Sequence, residues 1–327
     1  MKSPQGARLT VIFLEHFICL VYFTLETGSL LEGRVMDKSV LNCEHALGMA
    51  LREAAGPECP PMLATALDYA VFPGGARVRP QLCLAVALAN GNEDPLLASA
   101  AAVAVELLHC ASLVHDDLPC FDDATTRRGK ASLHATFGER IAVLTGDALI
   151  VAAFQHIART TKALKNPERM ASVLGIIAAG VGAPVGICAG QAWECESRVD
   201  LSLYHRAKTG ALFIAATCAG AAAAGVPTAG WVALGESIGE AYQVADDIQD
   251  AVADPESIGK PTGIDVALNR PSAVRELGLD GAIKRLESCI TKGLDSIPQC
   301  PGRGQLLAVV QKQSNRFFPK GIKRSAA

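Results

Sequence analysis

Aromatic residues are scarce in this sequence. Phe, Trp and Tyr make up 5% of 327 residues, although half of the chain is hydrophobic. The apolar content is largely Ala, Leu and Val, which suits closely packed helices. An excess of one charge is also missing, since 30 Lys and Arg face 33 Asp and Glu for a net charge of −3. Nothing in that balance points to a nucleic-acid partner, and any phosphate site has to be a local cluster of basic residues. The 11 cysteines form an odd, scattered set with no CxxC pair. This excludes a secretory disulfide framework and fits reduced thiols packed as small hydrophobes, so the expected location is cytoplasmic. No convincing alternation of apolar and polar residues marks a strand, and no linker or internal repeat stands out.

The N-terminus does contain a long apolar run. Leu9 to Leu25 reads LTVIFLEHFICLVYFTL, with Lys2 and Arg8 before it. Glu15 and His16 sit in its centre, where charge is costly in a bilayer, and no small-residue cleavage site follows. Three readings stand open: an extension outside the working protein, an interfacial helix that lets the chain associate with a membrane, or a helix packed on the domain. The expected division is an extension over residues 1–36 and a single domain over 37–327.

From Asp37 onward the periodicity is helical and predicts an all-α fold of roughly a dozen helices. Expected segments include Ser39–Ala55, a helix opened by Pro60-Pro61, Arg79–Asn90, Leu96–Val114, Ser132–Arg159, Pro167–Gly182, Pro184–Glu194, Leu203–Gly225 and Thr228–Val252. A loop is expected to Pro271, followed by helices near Leu279–Leu294 and Gly304–Arg316. Pro119 cannot continue a helix, so the residues before it should lie at a helix C-terminus, whose dipole welcomes a cation.

Those residues belong to the most unusual stretch in the chain, HDDLPCFDDATTRRG, from His115 to Gly129. Asp116, Asp117, Asp122 and Asp123 repel one another unless cations sit among them, while Arg127 and Arg128 offer planar forks for phosphate oxygens. A second cluster, Asp246, Asp247 and Asp250, lies in YQVADDIQD. On a helix these acids and Gln243 lie on one side, whereas Trp231, Leu234, Ile238, Tyr242 and Ala245 form an apolar stripe. Arg77, Arg79, Lys208, Lys260 and Arg270 lie in short polar motifs beside Gly, Pro or Thr. Two facing Asp clusters with a diphosphate between them would suit magnesium, which prefers octahedral oxygen coordination. No pairing of nucleophile and base is evident.

With these motifs the chain resembles a trans-isoprenyl diphosphate synthase, in particular the bacterial geranylgeranyl diphosphate synthases of carotenoid and bacteriochlorophyll pathways. DDLPCFD with RRGK matches the first family motif and DDIQD the second. GDAL at Gly146–Leu149, GQAWE at Gly190–Glu194, KTGALF at Lys208–Phe213 and GKPTGID at Gly259–Asp265 fall in family order. The resemblance implies an isoprenoid synthase bundle, a homodimer, and three magnesium ions per site with manganese able to substitute. It assigns Asp116, Asp117, Asp122, Asp246, Asp247 and Asp250 to metal on the allylic diphosphate. Arg127, Lys208, Lys260 and Arg270 would contact that diphosphate, and Arg79, His109 and Arg128 would bind isopentenyl diphosphate. Thr209 and Gln243 would face the reacting allyl carbon. Asp116, Asp122, Lys208, Thr209 and Gln243 thus form the expected catalytic set.

The chain departs from the family pattern at Ala76, where a lysine usually grips isopentenyl diphosphate, so that Arg77 or Arg79 compensates or affinity is lower. Glu194 stands in place of the more usual Asp. Product length is expected to depend on bulk one helical turn before Asp116. Ala111 and Ser112 are small there, which implies a twenty-carbon product, geranylgeranyl diphosphate. The alternatives are a farnesyl diphosphate synthase and a non-catalytic partner subunit of a prenyl synthase.

Overall fold

The structure is a computed structural model and describes residues 32–72, 74–160, 163–164, 166–252 and 272–318. The apolar N-terminal run, Lys260 and Arg270 therefore lie outside the described residues. The fold is all-α apart from one two-stranded turn. In chain order the helices are α1 Glu32–Ala54, α2 Pro61–Val71, α3 Val78–Ala89, α4 Pro95–Asp116, α5 Leu133–Phe137, α6 Glu139–Thr160 and α7 Glu168–Val181. They continue with α8 Ile187–Ala192, α9 Leu201–His205, α10 Ala211–Ala223, α11 Val232–Val252, α12 Ala273–Asp295 and α13 Arg303–Ser314. The described part of α1, Glu32–Ala54, runs across the expected boundary at 36/37.

The local chemistry explains most helix ends. Pro61 and Pro95 open α2 and α4, where a missing N–H costs nothing. The segment expected as one helix over 132–159 is two, because Gly138 takes φ 84° between α5 and α6. Likewise, 203–225 divides into α9, a π-helical turn Arg206–Gly210 and α10.

Helix α4 is the central strut. From Ala100 to Leu108 every side chain is buried, and the helix packs against α3, α6 and α10. Alanine makes this possible by letting helix axes approach closely. Glycine goes further at the α3–α10 crossing, where a Cβ on Gly220 would lie 2.3 Å from the Cys83 carbonyl oxygen. One apolar core joins α1, α2, α3, α4, α6, α7 and α10, and a second joins α3, α10, α11, α12 and α13. Helices α3 and α10 contribute to both. The cysteines resolved among the described residues are free thiols.

Two described helices, α4 and α6, are long and apolar enough to cross a membrane. The apolar window of α4 is 78% buried within the bundle, whereas that of α6 is 39% buried. Helix α6 exposes Val143, Leu144 and Val151.

Candidate active site

The first Asp cluster forms where α4 stops. The backbone turns at Asp117, buried Leu118 anchors the turn, and the Asp122 N–H donates to the Asp116 carbonyl at 3.0 Å. This closes the loop and brings Asp116 and Asp122 to one end of the helix. Burial pushes the Asp116 carboxyl up to about 6; Lys208 pulls it back, and Asp122 pushes it further up. Asp117 points elsewhere. Its carboxylate is 2% exposed as a residue and accepts both Nε, at 2.9 Å, and Nη2 of Arg127.

A short hairpin aims the two arginines apart. Strand β1, Thr126–Arg127, pairs antiparallel with β2, Lys130–Ala131, and the turn is made by Arg128 at φ 54° and Gly129 at φ 75°. Lys130 ties the hairpin down by donating to the carbonyls of Tyr69 at 2.5 Å and Phe72 at 2.7 Å. Arg127 thus reaches Asp117, while Arg128 turns to His109, with Nη2 3.4 Å from Nε2. Arg79 approaches the same nitrogen, its Nη1 also at 3.4 Å. Both guanidinium groups are obligate donors, so Nε2 faces them as an acceptor and the imidazole is neutral. Burial, then the charges of Arg79 and Arg128, hold His109 well below the ordinary imidazole value. Arg79 is itself buried, stacked 4.3 Å over the Phe213 ring and 5.2 Å from that of Tyr242. Its Nε has no hydrogen-bond partner among the described residues. Donors gathered in this way, with no carboxylate bonded to Arg79 among the described residues, suit a bound anion.

The second cluster is joined to the first through the π-helical turn. The backbone there passes so close to Gly190 that a Cβ would lie 2.3 Å from the Lys208 nitrogen. The Lys208 ammonium is paired with Glu194, which also accepts the Tyr204 hydroxyl at 2.6 Å. Next along the turn, Thr209 Oγ1 donates to Gln243 Oε1 at 2.7 Å, and Gln243 Nε2 donates to Asp247 Oδ1 at 3.0 Å. The other Asp247 oxygen accepts the Ala273 N–H at 2.8 Å. Lys208 and Glu194 both influence the Asp116 carboxyl, so one chain of neighbours runs from Asp116 through the turn to Asp247.

The sequence placed all three acids of the second cluster on one polar side of α11. Asp247 does lie on the side of Gln243, to which it is bonded, but it is buried there at 4% exposure, while Asp246 and Asp250 are half-buried. Two hydrogen bonds compensate its burial. Among the described residues no three His, Cys, Asp or Glu side chains converge closely enough to hold a metal ion. Asp117 and Asp247 are instead engaged by Arg127, Gln243 and Ala273. Arg77 is likewise no part of the anion cluster, since its guanidinium is taken up by Glu44 and Glu106. Of the small residues before Asp116, Ala111 is 1% exposed in the larger core, and the Ser112 hydroxyl donates to the His109 carbonyl at 2.9 Å.

Several contributors were not evident from the sequence. Tyr242 reads as part of the apolar stripe and Phe213 only as the end of the KTGALF motif, yet both flank Arg79; the available signal was that Tyr242 lies one helical turn before Asp246. Glu106 gave no signal beyond being a lone acid in an apolar helix.

Two carboxylate-bearing helix segments, two diverging arginines and a polar turn between them are groups whose chemistry suits a diphosphate, set in an all-α bundle. Residues 60–299 match the polyprenyl synthetase family, and the chain belongs to that family. It is 54% identical over 279 residues to the geranylgeranyl diphosphate synthase of Cereibacter sphaeroides, covering 85% of this chain and 96% of that protein. It is 50% identical over 283 residues to the geranylgeranyl diphosphate synthase of Rhodobacter capsulatus, covering 86% and 96%. Among solved structures, the geranyltransferase of Helicobacter pylori, complexed with magnesium and isoprenyl diphosphate, superposes with a TM-score of 0.75 at 29% identity, covering 89% of this chain and all of that one.

Proposed function

We propose that this chain is a trans-prenyltransferase. It condenses isopentenyl diphosphate head to tail with dimethylallyl, geranyl and farnesyl diphosphates, releases diphosphate and ends at geranylgeranyl diphosphate. The observation that carries the reading is the divergence of Arg127 and Arg128, which creates two anion stations on either side of the hairpin. The names of the relatives at 50–54% identity support the product.

The allylic diphosphate lies between the two Asp clusters, contacted by Arg127 and Lys208. Lys260 and Arg270 join that set in the assignment made from the sequence. Isopentenyl diphosphate lies against Arg79, His109 and Arg128. The donor set is hard carboxylate oxygen throughout, and burial beside Asp122 leaves Asp116 short of countercharge, which fits magnesium. Asp116, Asp122, Asp246 and Asp250 would hold the metal, with three ions per site and manganese able to replace magnesium. Asp117 and Asp247 act one step back, by orienting Arg127 and Gln243. When bound, the metal supplies charge that stabilises a departing diphosphate.

The residues of the chain supply the rest. Lys208 and Arg127 neutralise the leaving diphosphate as the allylic carbon–oxygen bond ionises. The oxygens of Thr209 and Gln243 face the developing positive charge. Arg79, His109 and Arg128 place the isopentenyl double bond for attack, and the proton lost afterwards passes to the released diphosphate. Position, charge and exclusion of water accomplish this without a side-chain nucleophile.

The working form is a cytoplasmic homodimer, supported by the apolar residues that α6 leaves exposed. Residues 37–327 form the catalytic domain. Incubation with dimethylallyl and isopentenyl diphosphates tests the reading: diphosphate release with magnesium and none in excess EDTA is expected. Release that ignores the chelator would contradict the metal assignment.

A further inference from the structure

The loop Gly74–Gly75–Ala76, which lacks the expected lysine, is held between two guanidinium groups. A Cβ on Gly74 would lie 2.1 Å from Arg77 Cζ, and a Cβ on Gly75 would lie 3.2 Å from Arg128 Nη2. Arg77 is 3% exposed and takes left-handed backbone angles, φ 51° and ψ 38°, at the entrance to α3. A residue other than glycine holds that conformation only when its surroundings impose it. The surroundings here are explicit. Arg77 Nη1 donates to Glu106 Oε1 at 2.6 Å, Nε to Glu44 Oε1 at 2.7 Å, and Nη2 to the Val71 carbonyl at 2.8 Å. Glu44 lies on α1, Val71 ends α2 and Glu106 lies on α4, so one side chain locks three helices to the loop. The Ala76 carbonyl is fixed separately by Gln81 Nε2 at 3.1 Å, and Gln81 accepts Gln313 Nε2 from α13.

Glu106 is the more deeply buried of the two acids in this brace, at 2% exposure. It lies one turn before His109 on α4, so a single turn of that helix carries both the brace and part of the anion cluster. We infer that Glu106 is a positioning residue for isopentenyl diphosphate: through Arg77 it fixes the loop and the start of α3, and thereby where Arg79 and Arg128 point. With Ala76 in place of a lysine, those two arginines carry the full cationic load of the subsite, so their placement governs affinity. The inference rests on the assignment of Arg79, His109 and Arg128 to isopentenyl diphosphate.

Glu106→Gln keeps the volume and an acceptor but removes the charge. In steady-state kinetics its KM for isopentenyl diphosphate should rise about tenfold, while KM for farnesyl diphosphate and kcat change by less than about twofold. Glu106→Asp should fall between wild type and Gln. If the Gln variant does not fold, Arg77→Lys gives the same readout, since a lysine keeps the buried charge but cannot bridge Glu44 and Glu106 at once. Arg128→Ala, measured in parallel, separates the two levels. A raised isopentenyl KM for Arg128→Ala with no selective rise in the brace variants overturns the inference and leaves the subsite assignment intact. An unchanged isopentenyl KM for Arg128→Ala overturns the assignment and the inference with it.

Discussion

Thr209 donates its hydroxyl to the side-chain carbonyl of Gln243 across 2.7 Å, tying the π-helical turn to α11. A π-helical turn inserted between helices often marks a functional position, and this one sets Lys208 and Thr209 side by side. Thr209→Val preserves shape and removes the oxygen. Its expected effect is a fall in kcat of about tenfold to a hundredfold with little change in either KM, as for loss of one electrostatic contact made in the transition state. Thermal unfolding should move little, because a single partly buried hydrogen bond contributes about 1 kcal/mol. A change confined to KM would place Thr209 in ground-state binding instead.

Neighbouring aspartates should differ in consequence. Asp116 is free of any arginine bond among the described residues, whereas Asp117 is committed to Arg127. Asp116→Asn should lower kcat by about three orders of magnitude and raise the magnesium concentration needed for half activity. Asp117→Asn should leave the magnesium requirement close to wild type and raise the KM of the allylic substrate. Titrating activity against magnesium for both variants distinguishes the roles, and equal shifts would place both carboxylates on metal.

The neutral state of His109 gives a pH dependence with a definite sign. An unfolded histidine protonates near 6.5, while burial and two arginines hold the native group well below that value. Between those values the unfolded chain binds the extra proton, so stability declines as pH falls from 6.5 toward the native pKa. Above 6.5 the contribution is constant. His109→Gln, which keeps a neutral acceptor, should flatten this part of a denaturant-derived stability curve between about pH 7 and 5. An unaltered slope would mean that the imidazole is not held neutral.

Ala111 tests the product length. It is buried against apolar neighbours one turn before Asp116. If the growing chain passes it, Ala111→Tyr fills that path and shifts the main product from twenty carbons to fifteen, with only a small loss of stability. If solid core surrounds it instead, the larger ring costs about 1–3 kcal/mol through overpacking and the product is unchanged. Product chromatography with a melting curve separates the two.

The sequence made these elements legible to different degrees. The helices expected at Pro61, Arg79, Leu96 and Pro167 start within a residue or two of those positions, because proline and Asn-Gly signals act locally, whereas the one expected from Pro184 starts at Ile187. The break at Gly138 and the π-helical turn were not, because an apolar period runs through both. The Asp clusters, His109 and the arginine pair were visible as motifs. The separate errands of Arg127 and Arg128 became geometric only through the hairpin turn between them. Asp247 illustrates the limit most clearly. Periodicity places it beside Gln243, as the structure does, but says nothing of the N–H of Ala273, 26 residues later, which caps it. The sequence offers Arg77 or Arg79 as compensation for Ala76, and only the fold brings Glu44 and Glu106, from two other helices, onto Arg77.

In the proposed function the chain adds isopentenyl diphosphate to an allylic partner and stops at twenty carbons. The direct measurement is incubation with magnesium, isopentenyl diphosphate and labelled farnesyl diphosphate, followed by chromatography of the dephosphorylated products. A single labelled twenty-carbon alcohol is the expected result. Recovery of farnesol alone, with magnesium and both substrates present, would contradict it.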